Sequence, residues 1–286
     1  MLFNRFSNIV AIYTLDFYFT KMKQKSIRFV KDYMIKKGFV LFFFYSFVFS
    51  QDNLLLRQAD TLSSSMIGVE TITRLDGNII FQKKDTILKG NFATQTDKNS
   101  IINLYGDVSI QQPEQIIYCD SLSFNNDTEF FEMYGNIKIK NGSRLISADK
   151  ATLDQISDQM TLIDNCEIED ENSNKVFGDK ILLNFQDNTL QSFKVLSNGL
   201  ILSKNSGYEK IDDLEKNIEN EDILKAETIF AKLENDEIQN IELIGMASTL
   251  IHLYNDSLYD GINEISGDKI TMNIQNESAK KLIAEG

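Results

Sequence analysis

The sequence is poor in the residues that most catalytic and metal-binding sites use. It has one histidine (His252), two cysteines, one proline and no tryptophan in 286 residues. A single histidine excludes multi-histidine metal sites and most histidine-based acid–base arrangements. There is also no glycine-rich phosphate loop, no Ser/His/Asp set and no Cys-x-x-Cys pair. We therefore expect no enzyme, no metal and no cofactor, and we expect His252 to be packed or surface-facing.

Positive charge is concentrated in the first 50 residues. Residues 1–50 carry eight Lys/Arg against two Asp, a net charge of +6, so that residues 51–286 hold −19 of the chain total of −13. This asymmetry indicates a basic targeting segment on an acidic body. Because phosphate binding needs clustered Lys and Arg, the acidic body argues against a nucleic-acid partner.

Residues 34–50 have the pattern of an export signal. Met34-Ile-Lys-Lys-Gly is followed by the apolar run 39–49 and then by Ser50-Gln51. A charged start, a short apolar core and small residues near Ser50 are typical of a cleaved signal peptide. Residues 1–33 are then a start-site overcall or a basic leader, and residues 51–68, with their serine run, are a loose lead-in. An uncleaved membrane anchor is the alternative.

A glycine-centred phrase recurs from residue 75 onward. Leu75-Asp-Gly-Asn-Ile-Ile-Phe81 returns around Gly106 and Gly135 and, degraded, around Asp164, each 29 residues after the previous one. Apolar residues stand two and four positions before and after each glycine, which is the period of a half-buried strand. A fixed period of this size indicates a stacked array rather than a globule around one pocket.

A second phrase, centred on an acidic residue, alternates with the first. A small residue precedes each acidic-type position, and apolar residues follow two and four positions later. The alternation slips by one residue at the acid, as at a bulge or corner. We interpret these acids as solvated or backbone-capping turn residues and assign no metal to them. The positions are Asn91, Asp120, Asp149, Asp179, Glu227 and Asp268.

The array is expected to run without a linker over residues 69–286. Only Pro113 interrupts it, and there is no Gly/Ser/Pro-rich tract. The spacing widens near residues 206–222, where the sequence is polar and acidic, and we expect a surface excursion with a short helical turn. Cys119 and Cys166 stand in different repeats at positions held elsewhere by small or aliphatic residues. This favours two core-facing thiols over a disulfide, although an exported protein could form one.

The alternating phrases Leu-x-Gly-Asn-Ile-x-Ile and Ile146-x-Ala-Asp-x-Ala-x-Leu153, after a signal peptide, resemble the OstA/LptA family, whose domain also forms the N-terminal part of LptD. The resemblance covers roughly residues 69–286. It implies an all-β fold, an elongated twisted β-jellyroll that is open along one edge. It also implies a periplasmic location in a Gram-negative-type bacterium, with association with the outer membrane as a further option. The implied function is lipopolysaccharide transport.

In this family the apolar lumen would shield the acyl chains of lipopolysaccharide. The end strands would pair with other bridge proteins, or with further copies of the chain, between the inner and outer membranes. Inward aliphatic and aromatic residues of the repeats are the candidates for lining that lumen. They are Ile79, Phe81, Ile110, Ile117, Ile137, Ile139, Ile146 and Leu153.

Two other functions remain open at the level of sequence. The same residues could pack against one another in a dry core, as in a structural or adhesive β-solenoid at the cell surface. An anchored assembly factor akin to LptC would instead require that the segment before Gln51 is not cleaved.

Overall fold

The computed structural model describes residues 54–68, 70–96, 100–186, 188–211, 214–235, 237–275 and 278–286. The expected signal peptide at 34–50 and the preceding residues 1–33 lie outside the described residues. Within the described part of the chain, no helix is long and apolar enough to cross a membrane.

Within the described residues, fifteen strands form a single sheet. The strands are β1 Leu55–Gln58, β2 Thr61–Ile67, β3 Glu70–Lys83, β4 Thr86–Thr96, β5 Ile101–Gln111, β6 Gln115–Asn125, β7 Phe130–Asn141, β8 Arg144–Asp154, β9 Gln159–Glu169, β10 Lys175–Gln186, β11 Thr189–Ile211, β12 Leu214–Glu234, β13 Glu237–Asn255, β14 Leu258–Gln275 and β15 Ser278–Glu285.

The strands follow one another in the sheet as they do in the sequence. From β3 to β15 each strand pairs antiparallel with the next, and β1 and β2 pair with different halves of β3. One parallel bridge, Tyr208 with Leu258, adds a contact between β11 and β14. The prediction of an all-β, jellyroll-type array of repeated strands is confirmed.

Each repeat glycine lies at a bulge where its strand turns a corner. Gly77, Gly106 and Gly135 have φ angles of 75°, 75° and 76°, and the residue after each glycine also has a positive φ. The register with the neighbouring strand shifts at these points; in β3, for example, it shifts between Asp76 and Ile79. Because glycine adopts positive φ without a steric penalty, its recurrence every 29 residues sets a line of corners across the sheet.

The acidic positions lie on the same line of corners, one strand earlier. Asp120 on β6 accepts a hydrogen bond of 2.8 Å from Asn136 Nδ2, next to Gly135 on β7. Asp149 and Asn165 repeat this pair at 2.6 Å on β8 and β9. The glycine and acidic phrases are therefore two sides of one corner. The prediction that the acids are turn residues agrees with these exposed pairs.

The corners divide the sheet into two arms. Arm A is formed by the half-strands that follow a glycine corner or precede an acidic corner. Arm B is formed by the other half-strands. In β7, arm A is Ile137–Asn141 and arm B is Phe130–Tyr134. Side chains from both arms fill one apolar core, and many are less than 2% exposed. The sheet is thus folded along its corners, with arm A facing arm B.

Two segments differ from the sequence interpretation. Residues 55–67, within the expected loose lead-in, form β1 and β2, and Asp60 between them accepts a 2.9 Å hydrogen bond from Asn78. This is one more copy of the acidic corner. The expected helical turn near 206–222 is wrong for the described residues, because 203–211 and 214–222 extend β11 and β12 as a regular antiparallel ladder from Ser203–Asp222 to Ile211–Leu214.

Candidate functional site

The eight lumen candidates are buried in one core. Seven lie on arm A, and Leu153 lies on arm B. Four are joined across neighbouring strands, since Ile110 pairs with Ile117, Ile117 with Ile139 and Ile139 with Ile146. None is more than 8% exposed. The sequence therefore identified a continuous apolar row, whose role in lipid binding stays a prediction.

The interior near these residues is filled by aromatic side chains from arm B. The rings of Phe124 and Phe131 stand 4.3 Å apart between their centroids, and both side chains are almost completely buried. Lys83, at the end of β3 on arm A, places its ammonium 5.8 Å from the centroid of the Phe124 ring. The same ammonium lies 2.7 Å from Glu129 Oε1 beside arm B. In this half of the sheet the two arms are packed against each other and are joined by this ion pair.

A narrow slit separates the free ends of the two arms in this N-terminal half. Its cavity measures about 270 Å³ and is mainly polar in lining. Arm A contributes residues such as Gln115 and Asn141, whose side chains share a 3.0 Å hydrogen bond. Asp158 and Asn188 belong to turns at the end of arm B. Polar ends around an apolar interior are the arrangement expected where such an interior meets water.

A larger and more apolar cavity lies between the arms in the C-terminal half. Its volume is about 360 Å³, and it is formed by residues of the strands from β8 to β14 and the turn before β10. Arm A supplies Val176, Ile201, Leu224 and Ile251, and arm B faces them with a second apolar set. The arm B residues are Leu190, Phe193, Leu233, Ile238, Ile241, Met272 and Ile274.

Several of these residues occupy the same positions in the later repeats as the eight lumen candidates occupy in the earlier repeats. Ile201 stands four residues after its corner at Ser197, as Ile139 does after Gly135. The sequence marks this region less clearly, because its copies of the repeat drift and their spacing widens. The signal that could have found it is the inward parity of Leu224 and Ile241, which are 4% and 3% exposed.

Two long hairpins meet beside this cavity. β11 and β12 have 23 and 21 residues, against 11 or 12 in the strands from β4 to β10, and β13 and β14 are also long. The hairpins are joined by Tyr208 N donating to Ser257 O at 2.9 Å and by Asn220 Nδ2 donating to Tyr254 Oη at 2.9 Å. Residues that looked like a surface insertion therefore build one wall of the molecule near the cavity.

His252 belongs to this wall. Its backbone N–H donates to Asp222 Oδ1 at 2.8 Å, and its Nδ1 lies 3.0 Å from the same oxygen. The two side chains are 12% and 14% exposed. Within the described residues, no group of three or more His, Cys, Asp or Glu side chains could hold a metal ion. Of the two positions expected for His252, packed or surface-facing, the structure has the packed one.

Both cysteines are free and buried, as the core-facing interpretation predicts. Burial raises the pKa of the Cys119 thiol to about 12, and the nearby Asp120 charge adds to the effect. Burial likewise raises the pKa of Cys166 to about 11. A thiol with so high a pKa is a poor nucleophile at neutral pH, so neither residue suits covalent chemistry.

Among the described residues, the strand order ends on one side at β1 and β2 and on the other side at β15, and these strands form the two edges of the sheet. Large apolar side chains are exposed there, with Leu62 at 62%, Met66 at 76% and Ile283 at 42%. An edge strand has one side of its backbone available for pairing with another strand.

Comparison with known proteins supports the predicted resemblance. Residues 51–180 match the model of a family described as OstA-like protein, so the resemblance is confirmed over β1–β9 and the first half of β10. No curated protein is similar enough to the chain to count as a match.

A crystal structure is also similar: that of LptH, the LptA homologous periplasmic component of the conserved lipopolysaccharide transport device from Pseudomonas aeruginosa. The two sequences are 16% identical, and the match covers 36% of this chain and 78% of that chain with a TM-score of 0.31. A likeness at this level supports no conclusion about function.

Proposed function

We propose, on the premise that residues 51–180 form an OstA-like segment, that this chain is a periplasmic component of lipopolysaccharide transport. It binds lipid acyl chains between arm A and arm B. It is not an enzyme, and it bridges the inner and outer membranes as part of a chain of β-folded proteins.

The observation that carries this proposal is the apolar interior between two arms that are not closed into a ring. The inward residues of both arms are mainly aliphatic or aromatic from Leu75 to Met272, with Cys119, Cys166 and Thr249 among the exceptions. The C-terminal cavity opens part of this interior between the arm ends. An acyl chain that enters it leaves water and gains about 0.8 kcal/mol for each buried CH₂ group.

The charge of the body and the sheet edges fit the same role. A net charge of −19 over residues 51–286 favours apolar chains as ligands over anionic headgroups. The exposed edges at β1–β2 and at β15 can each add a strand from another protein or from a second copy. Successive molecules would then extend the apolar interior between the membranes.

One observation favours the second candidate function, a cell-surface β-solenoid with a packed core and no lipid. The eight N-terminal candidates are between 0% and 8% exposed, and Phe124 and Phe131 fill the space opposite them. Lipid binding in this half would require arm A and arm B to separate. The C-terminal cavity needs no such separation, which is why lipid transport is the better supported function.

In-cell photo-crosslinking tests the choice. A photoreactive residue is placed at Ile137 or Ile146 in the N-terminal core, at Ile241 in the cavity, or at the exposed Lys138. Lipid transport predicts capture of lipopolysaccharide from the inward positions and none from Lys138. Capture from Lys138 alone, or from none of the four positions, would overturn the proposal and leave the packed solenoid.

A further inference from the structure

The mouth of the C-terminal cavity has two chemically different lips. On arm A the end of the cavity is lined by polar side chains from neighbouring segments, namely Asn174, Ser203, Asn205, Asp222 and His252. At the corresponding end of arm B the lining is apolar and consists of Leu190, Leu233, Ile238 and Ile274. We call the arm A set the polar lip.

Hydrogen bonds hold the polar lip in place. Asp222 Oδ2 accepts from Asn205 Nδ2 at 2.7 Å, and Asp222 Oδ1 accepts from the backbone of His252 at 2.8 Å. Asn174 Oδ1 accepts from Ser203 Oγ at 2.9 Å. Because these groups are fixed before a ligand binds, a polar group placed against them loses little affinity to side-chain ordering.

The lip has hydrogen-bonding capacity left for a ligand. Tyr254 Oη, which also lines the cavity, accepts from Asn220, and its own hydrogen can point elsewhere. Each carboxylate offers about four lone-pair sites. The described hydrogen bonds occupy three of these sites on Asp222 when the His252 ring nitrogen is counted.

Charge decides which polar groups fit. Two carboxylates, Asp170 and Asp222, line the cavity together with one guanidinium, Arg144. Asp170 is fixed by a 2.8 Å hydrogen bond from Asn174 Nδ2. A phosphate or carboxylate head would be brought next to these two acids with only the Arg144 guanidinium to offset them, whereas an uncharged head with O–H or N–H groups could donate to their oxygens.

The size of the cavity limits the apolar part of the ligand. A volume of about 360 Å³ is near the lower end of ligand sites, which span roughly 300–1,000 Å³. It has room for one hydrocarbon chain and not for the several chains of a large lipid. The apolar residues Ile201, Leu224, Ile241 and Ile251 would surround that chain.

We propose that this cavity binds a single hydrocarbon chain of an amphiphile and that the polar lip selects an uncharged, hydrogen-bond-donating group next to that chain. The inference rests on the proposed lipid-binding function and adds the place, the number of chains and the head chemistry. An anionic group of the same molecule stays outside the mouth.

Calorimetry on the purified full chain tests this with decyl maltoside and decyl phosphate, both below their micelle concentrations. We expect saturable 1:1 binding of decyl maltoside and at least about tenfold weaker binding of decyl phosphate. Asp222→Asn should lower this preference by at least about threefold, because it removes a repelling charge and one of the two acceptor oxygens that bind Asn205 and His252.

A cavity-filling variant locates the binding. Ile251→Trp should abolish binding of decyl maltoside, since the indole occupies the chain site. Ile262→Trp is the matched control, because Ile262 lies on the same hairpin, is 54% exposed and pairs with His252. It should bind as the unmodified chain does. Melting temperatures of both variants show whether they are folded.

The outcomes separate this inference from the proposed function. Equal affinity for the two heads, or unchanged binding in folded Ile251→Trp, overturns the inference. If neither amphiphile binds but lipopolysaccharide is crosslinked from Ile137 in cells, the inference fails and the transport function stands. If crosslinking from Ile137, Ile146 and Ile241 fails as well, both are overturned.

Discussion

Lys83 Nζ lies 2.7 Å from Glu129 Oε1 and so joins arm A to arm B across the slit. The lysine is only 9% exposed, and its ammonium also lies 3.5 Å from the carbonyl oxygen of Asn126. The two ends of the folded sheet are therefore tied by a charge pair over the ring of Phe124. In this half the tie crosses the smaller, polar slit, whereas the C-terminal half has the larger, more apolar cavity between its arms.

Glu129→Gln tests the strength of this tie. It leaves a mostly buried ammonium without its charged partner, and the free energy of unfolding should fall by about 2 kcal/mol. This lies between the small effect of exposed pairs and the larger effect of fully buried ones. Denaturant unfolding measures it. The double variant Lys83→Met/Glu129→Gln should recover at least half of the loss, because no charge is left unpaired. A double variant that is less stable than Glu129→Gln would contradict this account.

The glycine corners predict that replacing a corner glycine with alanine destabilises the fold. Gly135→Ala should lower the free energy of unfolding by at least about 2 kcal/mol, because φ is 76° and the new Cβ would collide with the Asp120 carboxylate. Gly142→Ala is the matched control, since its φ is 57° but nothing lies near its Cβ. It should cost only about 1 kcal/mol. Adding Asp120→Ala to Gly135→Ala should restore part of the loss. Equal costs at Gly135 and Gly142 would show that the collision is unimportant.

Thr249→Val is expected to stabilise the chain. Thr249 is 2% exposed, and its Oγ1 is buried without a hydrogen-bond partner among the described residues. Valine has the same shape and removes the unsatisfied group, so the free energy of unfolding should rise by about 1 kcal/mol. Thr249→Ser keeps the hydroxyl, loses a methyl group and should be less stable than the unmodified chain. Thermal and denaturant unfolding of the two variants check this, and a destabilised Thr249→Val would contradict it.

The buried thiols predict a loss of stability at high pH. The folded pKa values of about 12 for Cys119 and about 11 for Cys166 lie above the ordinary value of 9.0, so the folded chain holds protons that the unfolded chain releases. Their contribution is complete below pH 9 and is lost as pH rises towards 11–12. The free energy of unfolding falls by at most about 1.4 kcal/mol per pH unit for each thiol.

Cys119→Ala/Cys166→Ala should flatten this decline in denaturant titrations from pH 8 to 11. Parallel curves for the two proteins would contradict the prediction.

Sequence reasoning found the parts of the fold that repeat locally. The glycine period and the alternation around Gly77, Gly106 and Gly135 predict strands, corners and inward residues such as Ile110 and Ile139, because these depend on local backbone sterics and a side-chain period of two. The copy at Asp60 was missed, since no glycine phrase precedes it and the serines of β2 lack an apolar face.

The long hairpins were missed for a different reason. Residues 203–222 have few apolar side chains to mark alternation, and the contact of this hairpin with a distant segment, from Tyr208 N to Ser257 O, cannot be read from local periodicity. The cavity beside them likewise arises from how two arms meet. Inward residues such as Ile201 and Ile241 can be read from the pattern, but the space left between them depends on packing across the whole sheet.

Native mass spectrometry of the chain, purified without detergent from cells that make lipopolysaccharide, tests the central claim most directly. The account predicts a fraction of molecules with one bound acyl-chain lipid, present in the unmodified chain and in Ile262→Trp and reduced in Ile251→Trp. Detection of only the lipid-free protein in the unmodified chain and in both variants would contradict it and would support a packed core that binds no lipid.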